Sequence, residues 1–68
     1  MKQYYVNDTA QSNGDHEVHE NTCIYFQSIL KKTYLGSFTN CQEAVDKAGK
    51  LHKQVNGCAK CCKFCHTQ

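Results

Sequence analysis

Apolar and polar positions along this chain first alternate in twos and later fall into a longer period. Lys2 to Asn7, with tyrosine and valine between polar residues, reads as a strand. It breaks at Asn7-Asp8-Thr9-Ala10-Gln11-Ser12-Asn13-Gly14, a polar, turn-rich loop. His16 to Glu20 can pair back as a second strand, with Asp15, Glu17 and His19 on one face and His16, Val18 and Glu20 on the other. Ile24, Tyr25, Phe26, Ile29 and Leu30 form an apolar cluster that suits either a helical turn or an extended segment. Tyr34-Leu35-Gly36-Ser37-Phe38 reads as a short strand.

The clearest helix follows. Thr39 with Gln42, or Asn40 with Glu43, has the capping-box spacing, in which a polar cap and a residue three later satisfy orphaned backbone donors. Cys41, Ala44, Val45, Ala48, Leu51, His52 and Val55 then recur every three or four residues as one apolar stripe. Asp46, Lys47, Lys50 and Lys53 fall mostly elsewhere. Gly49 inside this stretch costs about 1 kcal/mol relative to alanine, so packing must hold the helix. Asn56-Gly57 is expected to end it in a left-handed cap. The pattern predicts a single α+β domain over residues 1–68, with two or three short antiparallel strands and one main helix.

Composition sharpens this picture. At 68 residues, the unfolded chain exposes surface that so small a fold covers incompletely. The apolar share of 40% includes six cysteines and four tyrosines, and Leu30, Leu35 and Leu51 are the only leucines. Ordering a residue costs about 1.5 kcal/mol against about 25 cal/mol per Å² of buried apolar area, and for such a chain the two sums nearly cancel. A disulfide or a metal must therefore tip the balance. Cys23, Cys41, Cys58, Cys61, Cys62 and Cys65 are the candidates, four of them crowded into residues 58–65.

The compartment decides which staple to expect. Residues after Lys2 contain no apolar stretch suited to a signal peptide or membrane span, so a cytoplasmic, reducing setting is expected, where clustered cysteines favour metal. The alternative is a secreted small protein stapled by disulfides and carrying no metal. Net charge is +2, unevenly spread: Lys2 faces four acids in residues 1–30, whereas residues 31–68 hold seven lysines against Glu43 and Asp46. This basic half suits an anionic partner. Arginine, which supplies forked donors for phosphate and guanine, is absent. A solvated lysine face is the plainer reading.

Candidate chemistry centres on Cys58-Ala59-Lys60-Cys61, just after Asn56-Gly57. Two cysteines separated by two residues on a tight turn can present both thiolates to one ion, and glycine supplies the positive backbone angle such knuckles often need. His19-Glu20-Asn21-Thr22-Cys23 offers a second pair, an imidazole and a thiolate four residues apart. Four protein ligands with no open position mean a structural ion rather than a catalytic one.

The ordered features are Tyr4-Tyr5-Val6-Asn7, His19-x-x-x-Cys23, Tyr34-Leu35-Gly36-Ser37-Phe38, a helix carrying Glu43-Ala44, and Gly57-Cys58-x-x-Cys61. In this order the chain resembles the metal-binding module at the N-terminus of the Ada DNA-methylation repair protein and Ada-like bacterial microdomains. It is also similar to small bacterial proteins of this length. The Ada resemblance covers nearly the whole chain, but its specific content is the two ligand pairs around one helix. It implies zinc held by His19, Cys23, Cys58 and Cys61. The repair protein accepts a methyl group on the first cysteine of its first pair; His19 stands there, and an imidazole cannot replace that thiolate. Methyl transfer is therefore not expected, and a nucleic-acid contact is what remains of the implied biology.

Other registers use the same residues. Cys62 or Cys65 could replace Cys61, and His66 could replace His19. Cys62-Lys63-Phe64-Cys65-His66 spells a c-type haem attachment pattern, disfavoured by its place near the C-terminus and a sole methionine at position 1. His16-Glu17-Val18-His19 lacks the four-residue histidine spacing of helical metalloproteases. Cys41, in the first helical turn, reads as a small apolar residue packed beneath the helix rather than a reactive thiol. His16 and His52 read as surface or helix-face residues. Neither CxxC has the βαβ context of a redox motif. No nucleophile has a base and orienting acid at diagnostic spacing. The expected protein is a monomeric, non-enzymatic recognition module binding nucleic acid or a protein partner through its lysine-bearing helix and tyrosines, with no membrane role.

Overall fold

The computed structural model describes residues 1–67. It is an α+β fold: β1 (Lys2–Asn7), β2 (His16–Glu20), β3 (Lys32–Phe38), α1 (Cys41–Ala48) and β4 (Val55–Gly57), with single 3-10 turns at Phe26–Ser28 and Lys63–Cys65. The strands form one sheet in the order β3-β1-β2-β4. β1 runs antiparallel to both neighbours, whereas β4 lies parallel to β2 with Val18 opposite Gly57. β3 and β4 therefore run the same way at opposite edges. A parallel return needs a crossover, and α1 supplies it, lying across one face of the sheet.

The three antiparallel strands match the expected pattern; the parallel fourth strand is an addition. The helix is shorter than its apolar stripe. Asn40 Oδ1 accepts from the Glu43 amide at 3.0 Å, and Glu43 Oε1 accepts from the Thr39 hydroxyl at 2.9 Å. Asn40 is thus the cap, and the glutamate reaches back to Thr39. The helix stops at Ala48, and Asn56-Gly57 belongs to β4 instead of a helix end. Gly49 is a poor helix former, and beyond it the Leu51 and His52 amides both donate to the Ala48 carbonyl in a closing turn. Leaving the helix there lets Val55-Asn56-Gly57 pair with β2.

The face under α1 holds the core: Tyr4, Val6, Val18 and Leu35 from the sheet, Ala44 and Ala48 from the helix, and Cys62. Val6 and Val18 are fully buried, each contributing roughly 1.5–3 kcal/mol. Leu35 sits where the β1–β3 register slips, between Tyr4 opposite Gly36 and Tyr5 opposite Tyr34. Gly36 takes φ 129°, a conformation side chains disfavour, and so accommodates this bulge. On the opposite face Tyr5 packs against Phe26 and Tyr34, at ring separations of 5.0 and 5.1 Å. Cys41 and Cys65 form a disulfide, with Cα atoms 6.3 Å apart, joining the start of α1 to the tail. Among the described residues no helix is long and apolar enough to cross a membrane.

Candidate metal centre

β2 alternation turns Val18 into the core and His19 to the other side, where the imidazole is buried at 2% exposure. Just beyond, the Cys23 amide donates to the Glu20 carbonyl at 3.1 Å, folding the chain so that Cys23 returns beside His19. The second pair arrives with β4. The Cys58 amide continues the ladder to the Val18 carbonyl at 3.0 Å, and the Cys62 amide closes a turn on the Cys58 carbonyl at 2.9 Å. That turn swings Cys61 round. Backbone amides also point at sulfur: Lys60 N–H donates to Cys58 Sγ at 3.4 Å and Glu20 N–H to Cys61 Sγ at 3.3 Å.

The donor atoms of His19, Cys23, Cys58 and Cys61 all lie within 4.8 Å of one another, a group able to hold a metal ion. His19 Nδ1 is 3.5 Å from Cys23 Sγ and 3.9 Å from Cys61 Sγ, and Cys23 Sγ is 3.8 Å from Cys58 Sγ. These are the four residues singled out by spacing.

Burial sets the electrostatics. It pushes the Cys58 thiol up to about 12 and raises Cys23 as well. Cys61 is raised by its contact with the Cys62 thiol and by burial. His19 is lowered, because burial disfavours imidazolium. All four donors are thus neutral on their own at pH 7, and a divalent cation is the counter-charge that would turn the thiols into thiolates.

Several neighbours complete the site. Glu17 Oε1 lies 3.5 Å from His19 Nε2, the ring nitrogen turned away from the sulfurs. Such an outer carboxylate fixes ring orientation and raises ligand basicity. Gly57 does not have positive φ, contrary to expectation; only Gly14 and Gly36 do among the described residues. Its role is room: a Cβ there would meet Cys65 Cβ at 2.8 Å and the Cys62 carbonyl at 2.9 Å.

Two of the alternative ligands, Cys65 and His66, are otherwise engaged. Cys65 is bonded to Cys41, so Cys41 is no simple packing residue. His66 Nδ1 bonds the Gly57 carbonyl at 2.9 Å. Cys62 is a free thiol in the core, 3.9 Å from Cys61 Sγ, where contact with Cys61 lowers its pKa. His16 and His52 are half-buried and mutually stacked, ring centroids 3.8 Å apart, with His52 Nε2 3.0 Å from Asp8 Oδ1. Asn56, expected in a helix cap, is instead buried and bonds both Asp15 and the Thr67 amide, pinning β4 to the loop before β2 and to the tail.

No family model, no curated protein and no solved structure matches the chain in sequence or fold comparisons.

Proposed function

We propose that the chain is a non-catalytic recognition module whose fold is fixed by one zinc ion bound to His19, Cys23, Cys58 and Cys61. The observation that carries this reading is the spacing of the donors. A tetrahedron with Zn–S of about 2.3 Å and Zn–N of about 2.05 Å has sulfur–sulfur edges of about 3.8 Å and sulfur–nitrogen edges of about 3.6 Å. The Cys23–Cys58, Cys23–His19 and Cys61–His19 separations are 3.8, 3.5 and 3.9 Å, and all four donors lie within 4.8 Å of one another. Three thiols and one imidazole are soft-to-borderline donors that favour zinc over magnesium or calcium. With four protein donors the ion keeps no open position for water, which argues for structure over hydrolysis. When bound, the ion supplies the positive charge that holds the thiols as thiolates. Glu17 then orients the His19 ring, and the Lys60 and Glu20 amides donate to the ligand sulfurs.

Cobalt(II) substitution tests the reading. One equivalent should bind and give the intense sulfur-to-metal and tetrahedral absorption bands of a three-thiolate site, and one equivalent of zinc should displace it. Weak octahedral-type absorption, or no saturation, refutes the assignment. A second reading, a metal-free protein held by disulfides, is favoured by the Cys41–Cys65 bond. Native mass separates the two, since that reading predicts no metal and the loss of all free thiols.

A further inference from the structure

The turn that supplies Cys58 and Cys61 leads directly into an exposed surface unused by the metal group. Phe64, in the 3-10 turn after it, is 92% exposed, and the Lys63 ammonium lies 5.5 Å from its ring centroid. Between this ring and the start of α1 runs a groove of about 350 Å³. Its floor includes Tyr4 and Cys62, both core residues, and its rim carries Lys2, Lys60 and Lys63. Glu20 is the one acid lining it, and Lys2 Nζ already binds that carboxylate at 3.2 Å. Lys60 and Lys63 form no ion pair among the described residues. Across Lys60, Ile24 stands 76% exposed over an adjoining hollow. Two large apolar side chains therefore flank two uncompensated ammonium groups.

We propose that this basic-rimmed apolar groove docks an acidic segment of a partner protein, with one apolar or aromatic side chain seated against Phe64 and neighbouring carboxylates meeting Lys60 and Lys63. An aromatic ring left in water is the kind of anchor that carries interface energy once covered, and complementary charge steers the partner to it. The apolar floor selects a side chain over a phosphate. The positive charge is modest and lysine-only, too little for the multiple phosphate contacts on which nucleic-acid affinity rests. The proposal rests on the metal reading, because the ion would hold the turn that shapes one wall.

The test is amide chemical-shift mapping of the zinc-loaded protein, with metal content read by native mass on the same samples. The probe is a synthetic peptide with one phenylalanine between two runs of aspartate; its phenylalanine-to-alanine and aspartate-to-asparagine counterparts and an oligothymidylate are run beside it. Saturable shifts centred on Lys60–Phe64, weakened at least about tenfold by either peptide change and by Phe64→Ala or Lys63→Glu, are expected, as loss of a central anchor and its charges implies. Absence of saturation at millimolar peptide, shifts mapping elsewhere, or affinity indifferent to both protein variants overturns the proposal. Tighter binding of oligothymidylate to the same residues also overturns it, in favour of nucleic acid. Protein that lacks metal yet still docks the peptide at the groove upholds the surface and refutes the zinc reading alone.

Discussion

At the scale of single residues, two positions outside the candidate ligand group test the proposed centre. Glu17 faces His19 Nε2 at 3.5 Å, so Glu17→Gln removes the charge that orients the ring while keeping its shape. Outer-carboxylate losses of this kind lower metal affinity about 10–100-fold. Competition against a chromogenic chelator should read that drop, with the circular dichroism of the loaded protein unchanged. Gly57 is tested by Gly57→Ala. The added Cβ has Cys65 Cβ and the Cys62 carbonyl inside normal contact distance, and overpacking of this type costs about 1–3 kcal/mol. The melting point of the loaded variant should fall accordingly. The grouping of these four side chains was legible because each pair is local: alternation turns His19 off the core face, and a two-residue gap brings Cys58 and Cys61 together. Alternation also placed Glu17 beside His19 on one face, but nothing local tied it to the ring. The need for Gly57 was legible and its cause was not, since the close approach of the 62–65 turn is a tertiary fact.

Among elements, the junction of β2, β4 and the loop before them turns on Asp15. Its side chain accepts from Gln54 Nε2 at 2.7 Å and from Asn56 and Asn13 at 3.2 Å each. Those donors, Gln54 first, hold the carboxyl below its ordinary value of 3.8. A depressed folded pKa means that the stabilisation is complete above the unfolded value and is lost as pH falls through the folded one. Asp15→Asn should therefore lower stability at neutral pH, because an amide turns donors toward donors. It should also flatten the decline of melting temperature below about pH 4, followed by thermal denaturation across an acid series. The strands and the helix start were legible from period and capping. The helix end was not. Leu51, His52 and Val55 continue the three-and-four spacing past Gly49, yet His52 instead stacks on His16 and Val55 begins β4. Parallel pairing with β2 takes up Val55, Asn56 and Gly57, and no sequence period announces it.

For the molecule as a whole, one covalent staple is present and a metal staple is proposed beside it. The disulfide links α1 to the tail over a separation of 24 residues, and a loop of that size is worth about 3 kcal/mol in the chain-entropy model. Replacing Cys41 and Cys65 with serine should lower the melting point by that scale and leave metal stoichiometry unchanged, because neither belongs to the ligand group. This pairing was illegible because it joins distant segments with no local signature. Such a bond is rare in a reducing cytosol, the setting expected from the residues after Lys2. A bound ion would tie the end of β2 to the turn after β4, where the four candidate donors meet. An ion present at a thousand times its dissociation constant stabilises the folded state by about 4 kcal/mol, a large share of the stability of so small a domain. The most direct measurement is thermal unfolding by circular dichroism with the disulfide kept oxidised, before and after a strong zinc chelator. Chelation should abolish the folded spectrum or sharply lower the melting point, and one equivalent of zinc should restore it. An identical spectrum and melting point with and without the chelator would contradict a fold fixed by metal.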